Sequence, residues 1–160
     1  MNQLGNAVTQ LLAKKEYHPV VVDLLQLIVQ GKMNSIDRDS VLRTYNIRRI
    51  SDIKEHTLPV ILDYALVSLE DGVIETAEMN NVKLLKAFLG IEEGDFYRNK
   101  LQKDVETIIT LQLHKIYGDG VVDAQEALQM GELQNLFGLS YDQFETIVKS
   151  TISAREKQSL

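Results

Sequence analysis

Apolar residues recur along this chain at intervals of three and four, the spacing of an α-helix that buries one face. Leu4, Val8 and Leu11 form the first such stripe, and similar stripes follow throughout the chain. No segment shows the regular alternation of apolar and polar residues that a half-buried strand requires. The pattern therefore predicts an all-α fold, a single domain over residues 1–160 with about seven to eight helices.

Proline, glycine and small polar residues divide this pattern into helices. Proline is well placed in a first turn, Ser, Thr and Asp cap first turns, and glycine or asparagine ends a helix. The predicted starts are Pro19, Asp39, Thr57 and Ser140, and the predicted stops are Gly31, Asn46, Gly90 and Gly138. Three further helices are predicted over residues 76–89, 95–117 and 124–137, and a short piece over Ile50 and Ile53.

Residues 66–98 and 114–146 repeat one pattern. Asp119 lies 48 residues after Asp71, and a glycine follows each of them. An interval that keeps glycines, acids and apolar positions aligned indicates a duplicated supersecondary unit. We therefore predict an internal duplication of a helix–loop–helix unit, in which an Asp-Gly turn joins the two helices.

Each copy has an acidic loop whose spacing matches the second half of an EF-hand calcium loop. In such a loop the glycine permits a sharp turn, and an apolar residue lets two loops lie side by side. The first half of the EF-hand pattern is absent, so we expect a looser site in which the two loops pool their carboxylates around a divalent cation, calcium or a similar hard ion. The predicted metal ligands are Asp71, Glu75, Glu78, Asp119, Asp123 and Glu126.

The same acids have a simpler interpretation as helix caps. Glu75 and Asp123 stand where N-caps belong, and Glu78 and Glu126 stand three residues later, as in a capping box. The helix dipole stabilises acids at these positions whether or not a metal is bound. The alternative is therefore a purely structural or interaction module whose acids only cap helices. A hydrolase with a metal-bound water is a weaker alternative, because no general base accompanies the acids, and no catalytic residue is predicted.

Composition and charge exclude several classes of protein. The chain is 44% apolar and 25% charged, which is typical of a globular protein. A net charge of −6 argues against a broad nucleic-acid surface. The absence of cysteine excludes disulfides and thiolate metal sites. Because neither a signal peptide nor a membrane span is apparent, we expect a cytoplasmic protein.

The first acidic loop and its neighbours resemble the TerB-like family of tellurite-resistance proteins. The stretch from Asp63 to Glu78 has an alanine-bearing helix, an Asp-Gly, an acid-rich turn and a Glu at the start of the next helix, and Phe88 to Ile91 continues the likeness. The second copy, from Tyr117 to Phe144, is similar, but His114 and Lys115 replace the alanine-rich approach. Lys115 is expected to compete with a metal bound in the second copy.

The resemblance covers residues 57–155 and leaves residues 1–56 as an N-terminal helical extension. It implies an all-helical, non-enzymatic domain linked to tellurite resistance and stress responses, with acidic residues suspected of binding metal ions. It also implies other proteins of a stress-response complex as partners, and a homodimer is a further expectation. Because the chain lacks soft thiolates, we expect any tellurite resistance to be indirect.

The remaining polar residues suggest no further chemistry. His18, His56 and His114 lack metal-ligand spacing, and we expect the first two to face solvent. The basic residues cluster only at Arg38, Arg43, Arg48 and Arg49, which we interpret as a solvated surface, with docking to an acidic partner or a membrane surface as the alternative.

Overall fold

The computed structural model describes the backbone of residues 3–70, 72–116 and 124–159, and the side chains of these ranges apart from residues 125 and 152–159. Within these ranges every regular element is helical, which confirms the predicted all-α fold. The elements are α1 (Gln3–Lys14), α2 (Pro19–Val29), α3 (Ser35–Thr44), a 3-10 turn (Ile50–Ile53), α4 (Lys54–Glu70), α5 (Thr76–Phe88), α6 (Asp95–Arg98), α7 (Gln102–Ile116), α8 (Ala124–Leu136) and α9 (Tyr141–Ser159). No helix in the described part is long and apolar enough to cross a membrane.

Most of the predicted helix boundaries are confirmed. Pro19 opens α2, and the side chains of Ser140 and Gln143 bond each other's backbone N–H at the start of α9, over 3.1 and 2.8 Å. All four predicted stops, Gly31, Asn46, Gly90 and Gly138, adopt positive φ, which suits a residue that ends a helix.

Two predicted starts are wrong. Asn34 caps α3 by accepting a bond from Asp37 N at 2.9 Å, so Asp39 lies inside the helix. α4 begins at Lys54 because it continues directly from the preceding 3-10 turn. Thr57 is therefore a fully buried residue within α4, and its hydroxyl has no hydrogen-bond partner in the described residues.

The predicted continuous helix over residues 95–117 is also wrong. It is divided into α6 and α7 at Lys100, whose φ is +63°. Leu101 N donates to Phe96 O at 2.9 Å, which closes α6. Phe96 is completely buried and packs edge-to-face on Phe137, with ring centroids 5.2 Å apart. Tertiary packing thus fixes a break that no glycine or proline marks in the sequence.

The chain forms two compact units. Unit 1 comprises Met1–Tyr64 and Asn81–Glu92, and unit 2 comprises Ala65–Asn80 and Glu93–Leu160. In unit 1, α2 packs on α1 and α3. In unit 2, α7 packs on α6 and α9. The predicted division between an extension (1–56) and a TerB-like core (57–155) stays a prediction.

Helices α5 and α8 are equivalent in length and at their C-termini. Each has 13 residues, and their first and last residues are 48 positions apart. Gly90 N donates to Ala87 O, and Ile91 N to Lys86 O; the equivalent bonds join Gly138 N to Asn135 O and Leu139 N to Gln134 O. This pairing is the Schellman pattern of helix ends. The duplication of the whole unit stays a prediction, because residues 117–123 lie outside the described residues.

Candidate functional site: the first acidic loop

The first acidic loop joins α4 to α5 and is described over residues 72–75. Gly72 has a φ of +148°, a conformation that favours glycine, and its N–H points to Leu69 O at 3.4 Å. Of the six predicted ligands, Glu75, Glu78 and Glu126 lie within the described ranges. Asp71, Asp119 and Asp123 lie outside the described residues.

Gln112 on α7 binds the centre of this loop. Its Oε1 accepts from Ile74 N at 2.8 Å, and its Nε2 donates to Ile74 O at 3.2 Å. Both residues are almost completely buried, with exposed fractions of 0% and 1%. The side chain of Gln112 thus bonds both backbone groups of the apolar loop residue. The pairing of the two loops stays a prediction, because residues 117–123 lie outside the described residues.

Lys115 lies one turn after Gln112 and reaches the same loop. Its Nζ donates to Leu69 O, in the last turn of α4. A cation is favourable there because the carbonyl groups of the last turn lack intrahelical partners and form the negative end of the helix dipole. The sequence placed Lys115 against the second acidic loop; the structure places its ammonium at the first.

Glu78 makes a capping bond at the start of α5. Glu78 Oε1 accepts from Glu75 N at 3.3 Å, which is the bond that the third helical residue makes in a capping box. The Glu75 side chain is exposed, and that of Glu78 is half-buried. This half of the predicted capping box is confirmed.

Within the described part of the chain, no group of three or more His, Asp or Glu residues could hold a metal ion. Glu126 lies in the first turn of α8, at the position equivalent to Glu78. Because three of the six acids are outside the described residues, the pooled cation site stays a prediction.

Sequence reasoning missed a histidine cluster in unit 1. His18 and His56 have ring centroids 4.6 Å apart, and His18 meets Tyr45 edge-on at 6.4 Å. His18 Nδ1 also accepts from Val20 N at 3.2 Å, so this histidine is the N-cap of α2. Only its position before Pro19 hinted at this role. His18 is exposed as predicted, whereas His56 is partly covered.

Two tyrosines of unit 1 donate to aspartates. Tyr17 Oη donates to Asp63 Oδ2 at 2.8 Å, and burial together with this bond raises the pKa of Tyr17 far above its ordinary value. Tyr45 Oη donates to Asp23 Oδ2, and this bond raises the pKa of Tyr45. Both phenols therefore remain protonated donors at neutral pH.

Arg38, one of the four arginines of the basic cluster, makes structural contacts within unit 1. Its Nη1 donates to Phe88 O at 3.0 Å, at the end of α5, and its Nε pairs with Asp39 at 3.2 Å. The neighbouring Arg49 pairs with Asp52 at 3.8 Å. The predicted solvated surface therefore begins beyond Arg38.

Comparison with known proteins adds no relative: no family model, curated protein or solved structure matches the chain. The TerB-like resemblance therefore stays a prediction that depends on the residues of the two loops.

Proposed function

We propose that this chain is a non-enzymatic, TerB-like helical module that acts in a stress response by binding other proteins, and that its first acidic loop is structural. Of the two interpretations drawn from the sequence, the geometry favours the one in which the acids cap helices. The main support is the pair of hydrogen bonds between Gln112 and Ile74, because they satisfy both backbone groups at the centre of the loop without a cation.

The position of Lys115 supports the same conclusion. An ammonium group on Leu69 O brings a fixed positive charge to the end of α4, next to the loop. A divalent cation bound there would be repelled by this charge. A hard cation also requires roughly six to eight oxygen ligands for calcium, and in the described part of the loop Ile74 O and one carboxylate oxygen of Glu78 already accept hydrogen bonds.

Thermal melting with and without divalent cations tests this proposal. We expect calcium, magnesium, manganese and zinc at millimolar concentration to leave the melting temperature of the full chain unchanged. A cation at about 100 times its Kd would stabilise the folded chain by about 2.7 kcal/mol, which melting detects. A clear rise for the unaltered chain, abolished by Glu78→Gln, would overturn the proposal.

The variant Lys115→Met sharpens the test, with Lys103→Met on the exposed side of α7 as its control. If the ammonium of Lys115 takes the place of a cation, only Lys115→Met gains cation-dependent stability. If the loop has no affinity for cations at all, neither variant does. Both outcomes agree with a structural loop in the natural chain, whereas cation-dependent melting of all three proteins contradicts it.

A further inference from the structure

A groove in unit 2 runs between α7 and α9. Glu106, Thr110 and His114 line it on α7, and their spacing of four residues places them on one helix face. From α9, the buried Ile147 and Thr151 reach it. The groove has a volume of about 250 Å³ and extends about 12 Å along α7. This volume is below the roughly 300–1,000 Å³ of small-molecule sites, so one long side chain suits it better than a cofactor.

The polar groups of the groove select a cation. Thr146 and Thr151 donate their hydroxyl hydrogens to Asp142 O and Ile147 O, at 2.9 and 2.8 Å, so these hydrogens are used within α9. The α9 side therefore offers the threonine methyl groups and Ile147, which suit a methylene stem, together with the Ser150 hydroxyl. Glu106 is the carboxylate among the described residues that line the groove, and none of these is a lysine or arginine.

The charge of the whole unit points in the same direction. Unit 2 contains 15 Asp and Glu against 7 Lys and Arg, whereas unit 1 contains 8 against 10. Such a field repels anionic ligands and attracts basic ones. The charge of Glu106 also acts locally: burial raises the pKa of Tyr97, and the carboxylate of Glu106 raises it further.

The arrangement around Glu106 favours lysine over arginine. Glu106 Oε1 already accepts from Gln102 Nε2 at 3.3 Å, whereas its other oxygen has no hydrogen bond to the described residues. Arginine binds carboxylates best through two parallel bonds, whereas the lysine ammonium acts as a point charge. We propose that the α7–α9 groove binds a basic segment of a partner protein, with a lysine stem on Ile147 and Thr151 and its ammonium on Glu106. This inference rests on the proposed function, since it names the kind of protein that the module binds.

Amide NMR of the full chain, titrated with a capped peptide of alternating lysine and alanine, tests the proposal. We expect the largest shifts at the amides of the groove residues. Replacement of Glu106 by Gln should weaken binding roughly tenfold, since the bond lost is assisted by charge. Glu93→Gln makes the same charge change in unit 2 outside the groove and should weaken binding by about twofold or less.

Two further arms complete the test. Thr110→Lys places an ammonium in the groove and should abolish binding, while its melting temperature reports that the variant is folded. The same peptide with acetylated lysines should not bind. Equal loss in Glu106→Gln and Glu93→Gln, equal binding of the acetylated peptide, or no shifts at millimolar peptide would each overturn the proposal. None of these results alters the cation melting experiment, so failure of the groove is distinguishable from failure of the structural loop.

Discussion

The two segments that the sequence predicts to be copies of one unit agree at the C-terminal ends of α5 and α8 and differ one helix earlier. Gly90 and Gly138 end their helices with the same bonds and with φ of +68° and +66°. Position 64 is a tyrosine whose hydroxyl accepts from Asn81 at 2.9 Å, whereas the equivalent Gln112 binds the loop at Ile74. The helix ends depend on local geometry and are alike, whereas the buried side chains at positions 64 and 112 depend on their surroundings and make different contacts.

Alanine substitution of Gly90 and Gly138, the glycines that end α5 and α8, should have the largest effect on the free energy of unfolding. The two costs should differ. At Gly138 an added Cβ would lie 2.5 Å from Gly94 N, a backbone atom, whereas at Gly90 it would lie 2.6 Å from the Ile50 Cγ2 methyl group. Both alanine variants incur the cost of positive φ. We expect Gly138→Ala to cost about 4 kcal/mol and Gly90→Ala about 2 kcal/mol of unfolding free energy, because a methyl group yields more easily than backbone.

Urea unfolding of the full chain measures both values. Gly131→Ala is the matched control, because Gly131 lies inside α8 with nothing within 4 Å of the added Cβ. It should stabilise the chain by about 1 kcal/mol through helix propensity. Equal costs at Gly90 and Gly138 would mean that φ alone determines the loss.

Tyr64 and Gln112, which stand at equivalent positions and make different contacts, provide the second prediction. Gln112→Leu leaves the buried N–H and C=O of Ile74 without partners and should cost about 3 kcal/mol. Tyr64→Phe removes one side-chain bond with Asn81 and should cost about 1 kcal/mol. The same unfolding measurement compares them, and a Gln112 variant no less stable than Tyr64→Phe would contradict the structural role of Gln112.

The smallest effect concerns the starts of α5 and α8. Glu78→Ala removes the bond to Glu75 N and should cost about 0.5 kcal/mol, the lower range for a helix cap. If the duplication extends to this turn, Glu126→Ala should cost the same within error. Urea unfolding with Gln10→Ala, an exposed substitution in α1, provides the baseline. A markedly larger loss of stability in Glu126→Ala would mean that α5 and α8 are equivalent only at their C-terminal ends.

The sequence predicted the helix boundaries that depend on residues within one helical turn. Pro19, Gly31, Asn46 and the Ser140–Gln143 box act within one helical turn, and each was found at its predicted position. The sequence offered both an EF-hand-like spacing and a capping box for the acids of the first loop, and the Glu78 bond confirms its half of the capping box.

Features that depend on distant contacts were missed. The break at Lys100 depends on the burial of Phe96 against Phe137, and no local signal distinguishes this lysine from its neighbours. Gln112 lies 38 residues from its partner in a helix with an ordinary apolar stripe, so its role could not be inferred from spacing. Lys115 was noticed beside the second loop, but its bond to Leu69 O at the first loop was missed, because sequence position does not indicate how far a flexible stem reaches.

The bonds between Gln112 and Ile74 have a consequence for hydrogen–deuterium exchange. Amides in turns ordinarily exchange through small local fluctuations, whereas those inside helices require larger openings. Ile74 N–H is bonded to a completely buried side chain of α7, so it is released only when α7 moves away or unfolds. The exchange of the Ile74 amide therefore reports the opening of α7, a helix distant in sequence. Its protection should resemble the protection of the α7 amides more closely than the protection of the loop amides beside it.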